Sequence, residues 1–371
     1  MPYGTVNADL MTTSDGVSSS GLYGFKNRIL NGQMVIDQRN AGASVTIGSA
    51  GSLVYTLDRW AAYCDQNSKF SVQQNAGSVT PPTGFSNYLG VTSLSAYTVG
   101  ASEAFGLTQI IEGFNTADLG FGSASASTVT LSFWVRSSLT GTFGGSLRNS
   151  ASNRSYPFSY TISTANTWEY ETITIAGDTS GTWIGATNGS GLKVWFSLGA
   201  GSTYTGTANA WAGANYLQPT GATSVVGTNG ATFYITGVQL EKGSTATSFD
   251  YRPYSAELAM CQRYYEKSFA QGTAPAYNQA FNYTTGTVYV GTSISIPIIP
   301  FKVTKRAAPT MVMYGVSTSG WTYYAGGFSN LSSFTGAATD SYFYAEGSGT
   351  SGLSLYQSTI IGGNWTASAE L

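Results

Sequence analysis

The sequence FYITGVQLEKGSTATSFDYRPYSAELAMCQRYYEKS occupies residues 233–268 and organises the rest of the chain. Its first part alternates apolar and polar residues from Phe233 to Leu240, which predicts a strand. Gly237 interrupts this alternation where its phase changes, and a glycine in that position indicates a β-bulge. We interpret the stretch as the junction between a large β domain before it and a smaller β domain after it.

The second part of this stretch has the one convincing helical pattern of the chain. Ser255 is in position to cap a helix, Glu257 lies in its first turn and Lys267 in its last, as the helix dipole favours. The pattern predicts a helix over 255–267, within a linker at 254–268. A helix of about three turns is marginal by itself, so it must pack against another part of the protein. The simplest expectation is that it caps the preceding domain.

Composition predicts the fold class. The 371 residues include 46 Gly and 25 Tyr, and 9% of them are charged. Short alternating segments separated by Gly, Ser and Thr are typical of sandwiches and barrels. We therefore predict an all-β protein: a polar segment at 1–24, a jelly-roll β-sandwich over 25–253, the short helix, and a smaller C-terminal β domain over 269–371. The low charge favours an extracellular or virion protein over a cytosolic enzyme.

Charge and residue usage argue against several function classes. The formal net charge is −2 with no basic cluster, which argues against nucleic-acid binding. The chain has no histidine, which removes Ser-His-Asp catalysis and nearly all zinc sites. Its two cysteines, Cys64 and Cys261, are expected to be buried apolar residues. We expect no cofactor, no metal site, no secretory signal and no membrane insertion.

Aromatic residues on polar surfaces indicate where a sugar ring could stack. The strands predicted at 128–136 and 192–198 each place one tryptophan opposite the apolar face. A long loop at 199–230 and two tyrosine-rich clusters further along provide other aromatic rings. The glycan-binding candidates are Trp134, Trp195, Trp211, Tyr216, Tyr323 and Tyr342. For each of them, packing or contact between subunits is the alternative.

Charged residues provide one weak catalytic candidate and one structural pair. Glu169 and Glu171 lie two apart on a predicted strand, so their side chains share a face at about 6.5–7 Å. Inverting glycosidases hold two carboxylates roughly 6.5–9.5 Å apart. Such pairs are also common at sheet edges without a catalytic role, and we expect a protein that is not an enzyme. Asp58 and Arg59 are predicted to form a partly buried ion pair.

Several motifs together resemble a widespread group of bacteriophage tail-fibre and virion proteins. They are NRILNGQMVIDQR at 27–39, LDRW at 57–60, VQLEKG at 238–243, FDYRP at 249–253, ELAMCQRYY at 257–265 and WTASAEL at 365–371. The resemblance covers most of residues 25–268 and the last few residues. It is specific for the group, and it does not select one role within a virion.

The resemblance implies a jelly-roll domain similar to carbohydrate-binding modules, a homotrimer, and attachment to another virion protein through residues 1–24. In such a trimer the helix would pack against symmetry mates on the three-fold axis through Leu258, Cys261 and Tyr265, and capping of the jelly roll is the alternative. It implies a protein made in the host cytoplasm and carried on the virion, where it contacts host surface glycan. The preferred role is a tail fibre, and a capsid decoration or head fibre is the alternative. A polysaccharide-degrading tailspike is less favoured, because the sequence lacks long β-helix repeats.

Overall fold

The structure is a computed structural model that describes most of the chain. The described residues are 26–280, 282–315, 321–331 and 333–371, and the side chains of 333–335 lie outside the description. The predicted anchoring segment 1–24 also lies outside the described residues. Within the described ranges, no helix is both long enough and apolar enough to cross a bilayer.

The chain forms two compact units, and neither is continuous in sequence. Unit 1 contains the described residues up to Met34, Thr46–Val54 and Ala62–Arg252, and unit 2 contains Val35–Val45, Tyr55–Ala61 and Pro253–Leu371. Two early segments of the chain therefore belong to unit 2, which no pattern in the sequence indicates.

The strands up to residue 242 form a sandwich of two six-stranded sheets, most of whose residues belong to unit 1. In chain order, the strands up to residue 242 are β1 (Val45–Thr46), β2 (Leu53–Leu57), β3 (Trp60–Cys64), β4 (Phe70–Gln74), β5 (Leu89–Ser93), β6 (Ala104–Glu112), β7 (Val129–Ser137), β8 (Gly141–Asn149), β9 (Ser155–Ile162), β10 (Glu169–Ile175), β11 (Ser190–Ala200), β12 (Thr205–Gly206), β13 (Gln218–Pro219) and β14 (Thr232–Lys242). The first sheet has the order β1-β4-β5-β14-β7-β10 and the second has the order β2-β3-β6-β11-β8-β9. Long neighbouring strands run antiparallel in both sheets, for example β7 with β14 in the first and β6 with β11 in the second. β12 and β13 form a separate short parallel pair.

Alternation along β7 shows how the sandwich is built. Leu131 and Phe133 point inward and are fully buried, whereas Trp134 and Arg136 on the other face are half-buried. The Phe133 ring meets Phe196 of the second sheet edge-to-face, with the ring centroids 5.0 Å apart. Interdigitated aromatic and aliphatic side chains between two sheets stabilise a sandwich by removing apolar area from water. The all-β jelly-roll sandwich predicted from the sequence is confirmed.

The bulge predicted in β14 is also present. Gly237 has a φ of 61°, and the register of β14 against β7 shifts between Thr236 and Gln239. A left-handed conformation at this position favours glycine, because other residues bring Cβ too close to the neighbouring carbonyl. The glycine is therefore required by the backbone and not only tolerated by it.

Asn27 and Gly32 connect the first motif to this bulge. The Asn27 side chain accepts a hydrogen bond from the Leu240 N–H and donates one to the Val238 carbonyl, each at 3.1 Å. The Gly32 carbonyl accepts a hydrogen bond from the Val238 N–H at 2.9 Å, and a Cβ at Gly32 would lie 2.2 Å from the Val238 carbonyl oxygen. The sequence around Ile29, Gln33 and Val35 suits an extended strand, but the structure has no strand over residues 26–40, and the segment is irregular.

Unit 2 combines one helix with an extended sheet. Its elements are α1 (Tyr254–Gln262), β15 (Tyr265–Lys267), β16 (Asn282–Val290), β17 (Ser293–Pro300), β18 (Thr310–Tyr314), β19 (Thr322–Tyr324), β20 (Phe328–Asn330), β21 (Ser333–Ala338), β22 (Tyr342–Ser348) and β23 (Ser358–Ser368). The sheet has the order β20-β19-β23-β16-β17-β22-β21, and both β15 and β18 pair with β23. Its core includes Ile294, Tyr323, Phe343, Ile361 and Trp365.

The helix is shorter than the sequence predicts. It spans Tyr254–Gln262, so the prediction of a helix over 255–267 with Ser255 as its cap is wrong. Residues 265–267 instead form β15 and pair with residues 366–368 of β23. Tertiary strand pairing outweighs local helix propensity here, since propensity is worth only about 0.7 kcal/mol or less per ordinary residue.

This change of structure separates the three residues proposed for contact in a trimer. Cys261 is fully buried in α1, Tyr265 is 7% exposed in β15, and Leu258 is half-buried. Of the three, Leu258 has the most surface to offer a neighbouring subunit. Cys64 and Cys261 are both free and buried, as predicted.

Unit 2 contains a buried ion-pair cluster of Arg39, Arg59 and Glu370. Arg39 Nη2 lies 2.7 Å from Glu370 Oε1, and Arg59 Nη1 contacts the other carboxylate oxygen. The Arg39 guanidinium lies 3.8 Å above the centroid of the Tyr265 ring, and the Arg59 guanidinium lies 3.6 Å above that of Tyr264. Cation–π contacts of this kind add to the ion pairing. The cluster therefore joins four of the sequence motifs in one place.

Asp58 lies beside this cluster in sequence and bonds to a different group. Its carboxylate accepts hydrogen bonds from the Gln38 backbone N–H at 2.7 Å and from Gln38 Nε2 at 2.6 Å. Arg59 pairs with the carboxylate of Glu370. Both Asp58 and Arg59 are almost completely buried, and not only partly buried as predicted.

Candidate functional site

A cleft of about 230 Å³ lies on the outer face of the second sheet of unit 1. Its aromatic lining consists of Tyr63, Trp195 and Tyr204, and its polar lining consists of Asp65, Thr108, Arg148, Lys193 and Asn215. A concave surface with aromatic walls and a few convergent polar groups is typical of a binding site for a small ligand.

The alternation of β11 builds the centre of the cleft. Every second residue of this strand points to the core, which leaves Lys193 and Trp195 on the outer face. Antiparallel pairing places Thr108 of β6 opposite Trp195, and Arg148 of β8 opposite Lys193. Side chains directly opposite each other have Cβ atoms roughly 4.5–5.5 Å apart. Three neighbouring strands therefore contribute to one compact patch.

Trp195 forms the floor of the cleft and is 2% exposed. Its indole ring lies over Gly106, where a Cβ would come within 2.3 Å of the ring, so that a glycine is needed beneath it. Tyr63 packs against the indole edge-on, with the ring centroids 5.9 Å apart. Trp195 Nε1 is buried and has no hydrogen-bond partner among the described residues. Buried donors are nearly always satisfied, so an unpartnered N–H in the lining of a cleft calls for a structural or functional explanation.

Two cations occupy one wall of the cleft. Arg148 is 9% exposed, and its Nη1 donates a hydrogen bond to Asn215 Oδ1 at 2.9 Å. The buried Nε of Arg148 has no partner in the part of the chain that the structure describes. Lys193 Nζ donates hydrogen bonds to the Ser150 carbonyl at 2.8 Å and to the Ser152 hydroxyl at 3.0 Å. The wall therefore carries two positive charges whose hydrogen-bond partners are neutral groups.

Asp65 and Tyr63 form a bonded pair on the opposite side. The Tyr63 hydroxyl donates a hydrogen bond to Asp65 Oδ1, and the Ala104 N–H donates one to Asp65 Oδ2, each at 2.7 Å. Burial, followed by the hydrogen bond to Asp65, raises the pKa of Tyr63 above its usual value. Both carboxylate oxygens are engaged within the protein, so Asp65 orients Tyr63.

The other aromatic candidates of unit 1 do not line the cleft. Trp134 lies half-buried on the outer face of the first sheet, 5.3 Å from Tyr170 between ring centroids. Trp211 is half-buried, and its Nε1 donates a hydrogen bond to a main-chain carbonyl 2.7 Å away. Tyr216 is half-buried as well. Of the four predicted residues in this unit, the structure brings Trp195 into the cleft.

The candidates in unit 2 have different exposures. Tyr323 is 1% exposed and its hydroxyl hydrogen-bonds to main-chain carbonyls at 3.1 Å, which leaves it no face for a glycan. Tyr342 is half-buried. A separate, shallow aromatic groove of about 330 Å³ is lined by Tyr283, Phe328 and Ile360, all of them exposed. Exposed rings in this unit therefore occur at positions that the sequence did not single out.

Glu169 and Glu171 lie on β10 at the edge of the first sheet, outside the cleft. The Glu169 carboxylate accepts hydrogen bonds from the N–H groups of Ser163 and Thr164, at distances between 2.7 and 3.1 Å. Burial, and then the charge of Glu169, raises the pKa of Glu171. The hydrogen bonds of Glu169 hold the turn that leads into β10.

Sequence reasoning missed most of the polar lining of the cleft. Lys193 is two residues from Trp195 on the same strand, so strand parity alone would have placed it beside the tryptophan. To place Arg148 in the cleft, one must know the register of β8 against β11. To place Asn215 there, one must know the path of the long loop. Neither of these can be read from one sequence without the pairing of distant strands.

Comparisons with known proteins give weak structural likenesses. The sequence matches no protein-family model, and no curated protein matches it. The chain is similar to a family 4 carbohydrate-binding module, with 15% identity and a TM-score of 0.29 over 57% of this chain and 98% of that one. It is similar to a family 11 module of a Clostridium thermocellum cellulase, with 13% identity and a TM-score of 0.27 over 55% of this chain and 98% of that one. It is also similar to a family 61 module in complex with β-1,4-galactotriose, with 13% identity and a TM-score of 0.26 over 50% of this chain and 88% of that one. Values this low assign no ligand to this chain.

Proposed function

We propose that the protein is a bacteriophage tail-fibre protein that binds host-surface saccharide in the cleft of unit 1. One observation carries the binding proposal: the cleft combines aromatic walls with two buried donors, Trp195 Nε1 and Arg148 Nε, that have no partner among the described residues. A saccharide matches this chemistry, because its ring faces pack on aromatic side chains while its hydroxyl oxygens accept hydrogen bonds. The virion role is supported by the motifs shared with phage tail-fibre and virion proteins.

We expect Tyr204→Ala to weaken saccharide binding about tenfold. Tyr204 lines the cleft and is half-buried, so truncation removes one aromatic wall while its backbone hydrogen bonds to Gly201 and Leu217 can persist. The loss of one packed aromatic ring is worth roughly 1–1.5 kcal/mol, which corresponds to about a tenfold change in the dissociation constant. The measurement is binding to an array of bacterial surface glycans, followed by titration calorimetry on the best ligand.

Trp134→Ala is the matched control for this substitution. It removes a half-buried aromatic ring from the outer face of the other sheet, so binding by the cleft should be unchanged. If Trp134→Ala abolishes binding and Tyr204→Ala leaves it intact, the saccharide site lies on the first sheet. If the native protein binds no glycan on the array, the proposed function is wrong.

The proposal includes a homotrimer attached to the particle through residues 1–24. Exposed apolar side chains of unit 2 support it, since large exposed apolar patches commonly mark interaction surfaces. These side chains are Tyr283, Val290, Ile298, Tyr324, Phe328 and Ile360. Three cleft sites on each fibre would raise the avidity of individually weak contacts.

We propose that the protein has no catalytic role, that it is made in the host cytoplasm and that it acts on the virion. The hydrogen bonds of Glu169 to two backbone N–H groups support a structural role for the most suggestive carboxylate pair. Electron cryo-microscopy of the intact particle tests the location. Three copies projecting from the tail would agree with the proposal, whereas copies on the capsid lattice would favour the alternative of a capsid decoration or head fibre.

A further inference from the structure

The cationic wall of the cleft carries two positive charges, and neither is bonded to a carboxylate among the described residues. Arg148 and Lys193 are direct cross-strand partners on β8 and β11, so two positive charges share one small surface. Like charges in this arrangement destabilise a sheet unless something compensates them. The structure places both side chains in the lining of the cleft.

Neither cation forms an ion pair within the described part of the protein. The partners of the two cations are the Asn215 side-chain oxygen, the Ser150 carbonyl and the Ser152 hydroxyl, and all of them are neutral. The guanidinium of Arg148 also lies 5.4 Å from the Trp195 ring centroid. The carboxylate that lines the cleft, Asp65, has both oxygens engaged by Tyr63 and by a backbone N–H.

We infer that the saccharide bound in the cleft carries a negatively charged group, a carboxylate, sulfate or phosphate, which lies between Arg148 and Lys193. This inference rests on the proposed function. An anionic oxygen can accept the hydrogen bond that Arg148 Nε does not make within the described chain, and charge-assisted hydrogen bonds of this type are roughly twice as strong as neutral ones. The same anion would offset the repulsion between the two cations.

The pKa shifts of the two cations agree with this assignment. Burial lowers the pKa of Arg148 to about 10. Burial, and then the neighbouring charge of Arg148, lowers the pKa of Lys193 to about 8. Both shifts mean that the surroundings of the cleft destabilise the charged forms. A bound anion would stabilise these charged forms and would raise both pKa values.

The test uses the full chain and an array of bacterial capsular and lipopolysaccharide glycans, each printed in three forms. The first form is native, the second has its carboxylates reduced to alcohols, and the third has its sulfate and phosphate esters removed. We expect each bound glycan to lose at least about tenfold in affinity in one of the treated forms, and that form identifies the charged group. Binding of equal strength to all three forms would overturn the inference while the proposed function stands, whereas binding to no glycan would overturn both.

Variants test whether the two cations are the groups responsible. Lys193→Gln removes a half-buried charge and is expected to weaken binding to the native glycan about tenfold, with little effect on the neutralised form. Lys242→Gln removes one positive charge from the exposed end of β14 on the first sheet and should leave both affinities unchanged. Equal losses for both forms on Lys193→Gln would contradict the inference, because the lysine would then contact a neutral part of the sugar. Arg148→Gln provides a second measurement, and its folding is checked by near-UV circular dichroism.

Discussion

Glu370→Gln is expected to lower the free energy of unfolding of unit 2 by about 3–5 kcal/mol, the usual loss when one partner of a buried ion pair is removed. The Glu370 side chain is 6% exposed and forms ion pairs with the guanidinium groups of Arg39 and Arg59. The Arg59 side chain is 2% exposed. Burial by itself would lower the pKa of Arg59, and the Glu370 carboxylate, with neighbouring phenol groups, raises it above its usual value. The substitution therefore leaves one buried cation, Arg59, and one half-buried cation, Arg39, without their shared carboxylate.

Native-state hydrogen exchange read by mass spectrometry measures this effect, because it reports each unit separately. Peptides from β23 should exchange faster in Glu370→Gln, while peptides from β7 and β14 serve as an internal reference. Asp118→Asn is the matched control, since it removes the carboxylate of the exposed Arg28–Asp118 pair, in which the Asp118 side chain is 48% exposed. Exposed pairs are worth about 0–1 kcal/mol. Equal, small effects of the two substitutions would show that the cluster contributes little to stability.

Asp58 is expected to make unit 2 less stable as the pH rises from about 4 to 6. Burial raises the pKa of Asp58 to about 6, against the opposing effects of Arg39 and of the hydrogen bonds from Gln38. An unfolded chain releases this proton near pH 4, so between the two values the folded state holds a proton that the unfolded state has lost. Stability then falls with rising pH, by on the order of 2–3 kcal/mol for this group, and the loss is complete above about pH 6 to 7.

Asp58→Asn isolates this contribution, because the amide does not titrate. Urea unfolding of both proteins at several values between pH 3.5 and 7.5 gives the difference between their free energies of unfolding, in a comparison that cancels the titration of other groups. We expect the variant to gain stability relative to the native protein across the window from about pH 4 to 6 and to keep a constant difference above it. A difference that does not vary with pH, or that varies in the opposite direction, would contradict a raised pKa.

The sequence predicted those parts of the fold that depend on local patterns. Alternation in β7 and β11 gave the inward and outward faces correctly, and Gly237 marked the bulge in β14. The failures involve pairing between distant segments. Residues 265–267 continue a helical pattern locally, but their backbone pairs with β23 a hundred residues later, as the register with residues 366–368 shows.

In the candidate site as well, residues placed by local alternation were predicted, and residues placed by the pairing of distant strands were not. Trp195 was found because parity on its own strand is enough to place it on the outer face of the sheet. Arg148 was missed because its position in the cleft depends on the register of two strands that are separated by the whole of β9 and β10. Tyr323 was misjudged for a related reason: the aromatic cluster in which it lies is visible in the sequence, but which of its rings face the core is decided by the pairing of β19 with β23.

The discontinuity of unit 2 has a consequence for the order in which the protein folds. All strands of the long sheets of unit 1 up to β14 are synthesised before residue 253, so this unit can complete most of its pairing during translation, as domains in N-terminal positions generally do. Arg39 and Arg59 are made early, but their carboxylate partner is near the other end of the sequence. Unit 2 must therefore bring together segments that are more than 300 residues apart in sequence, and contacts of such high contact order form slowly. For the same reason, a fragment that begins at residue 253 would carry Glu370 without either arginine, and no single cut in the chain separates the two units.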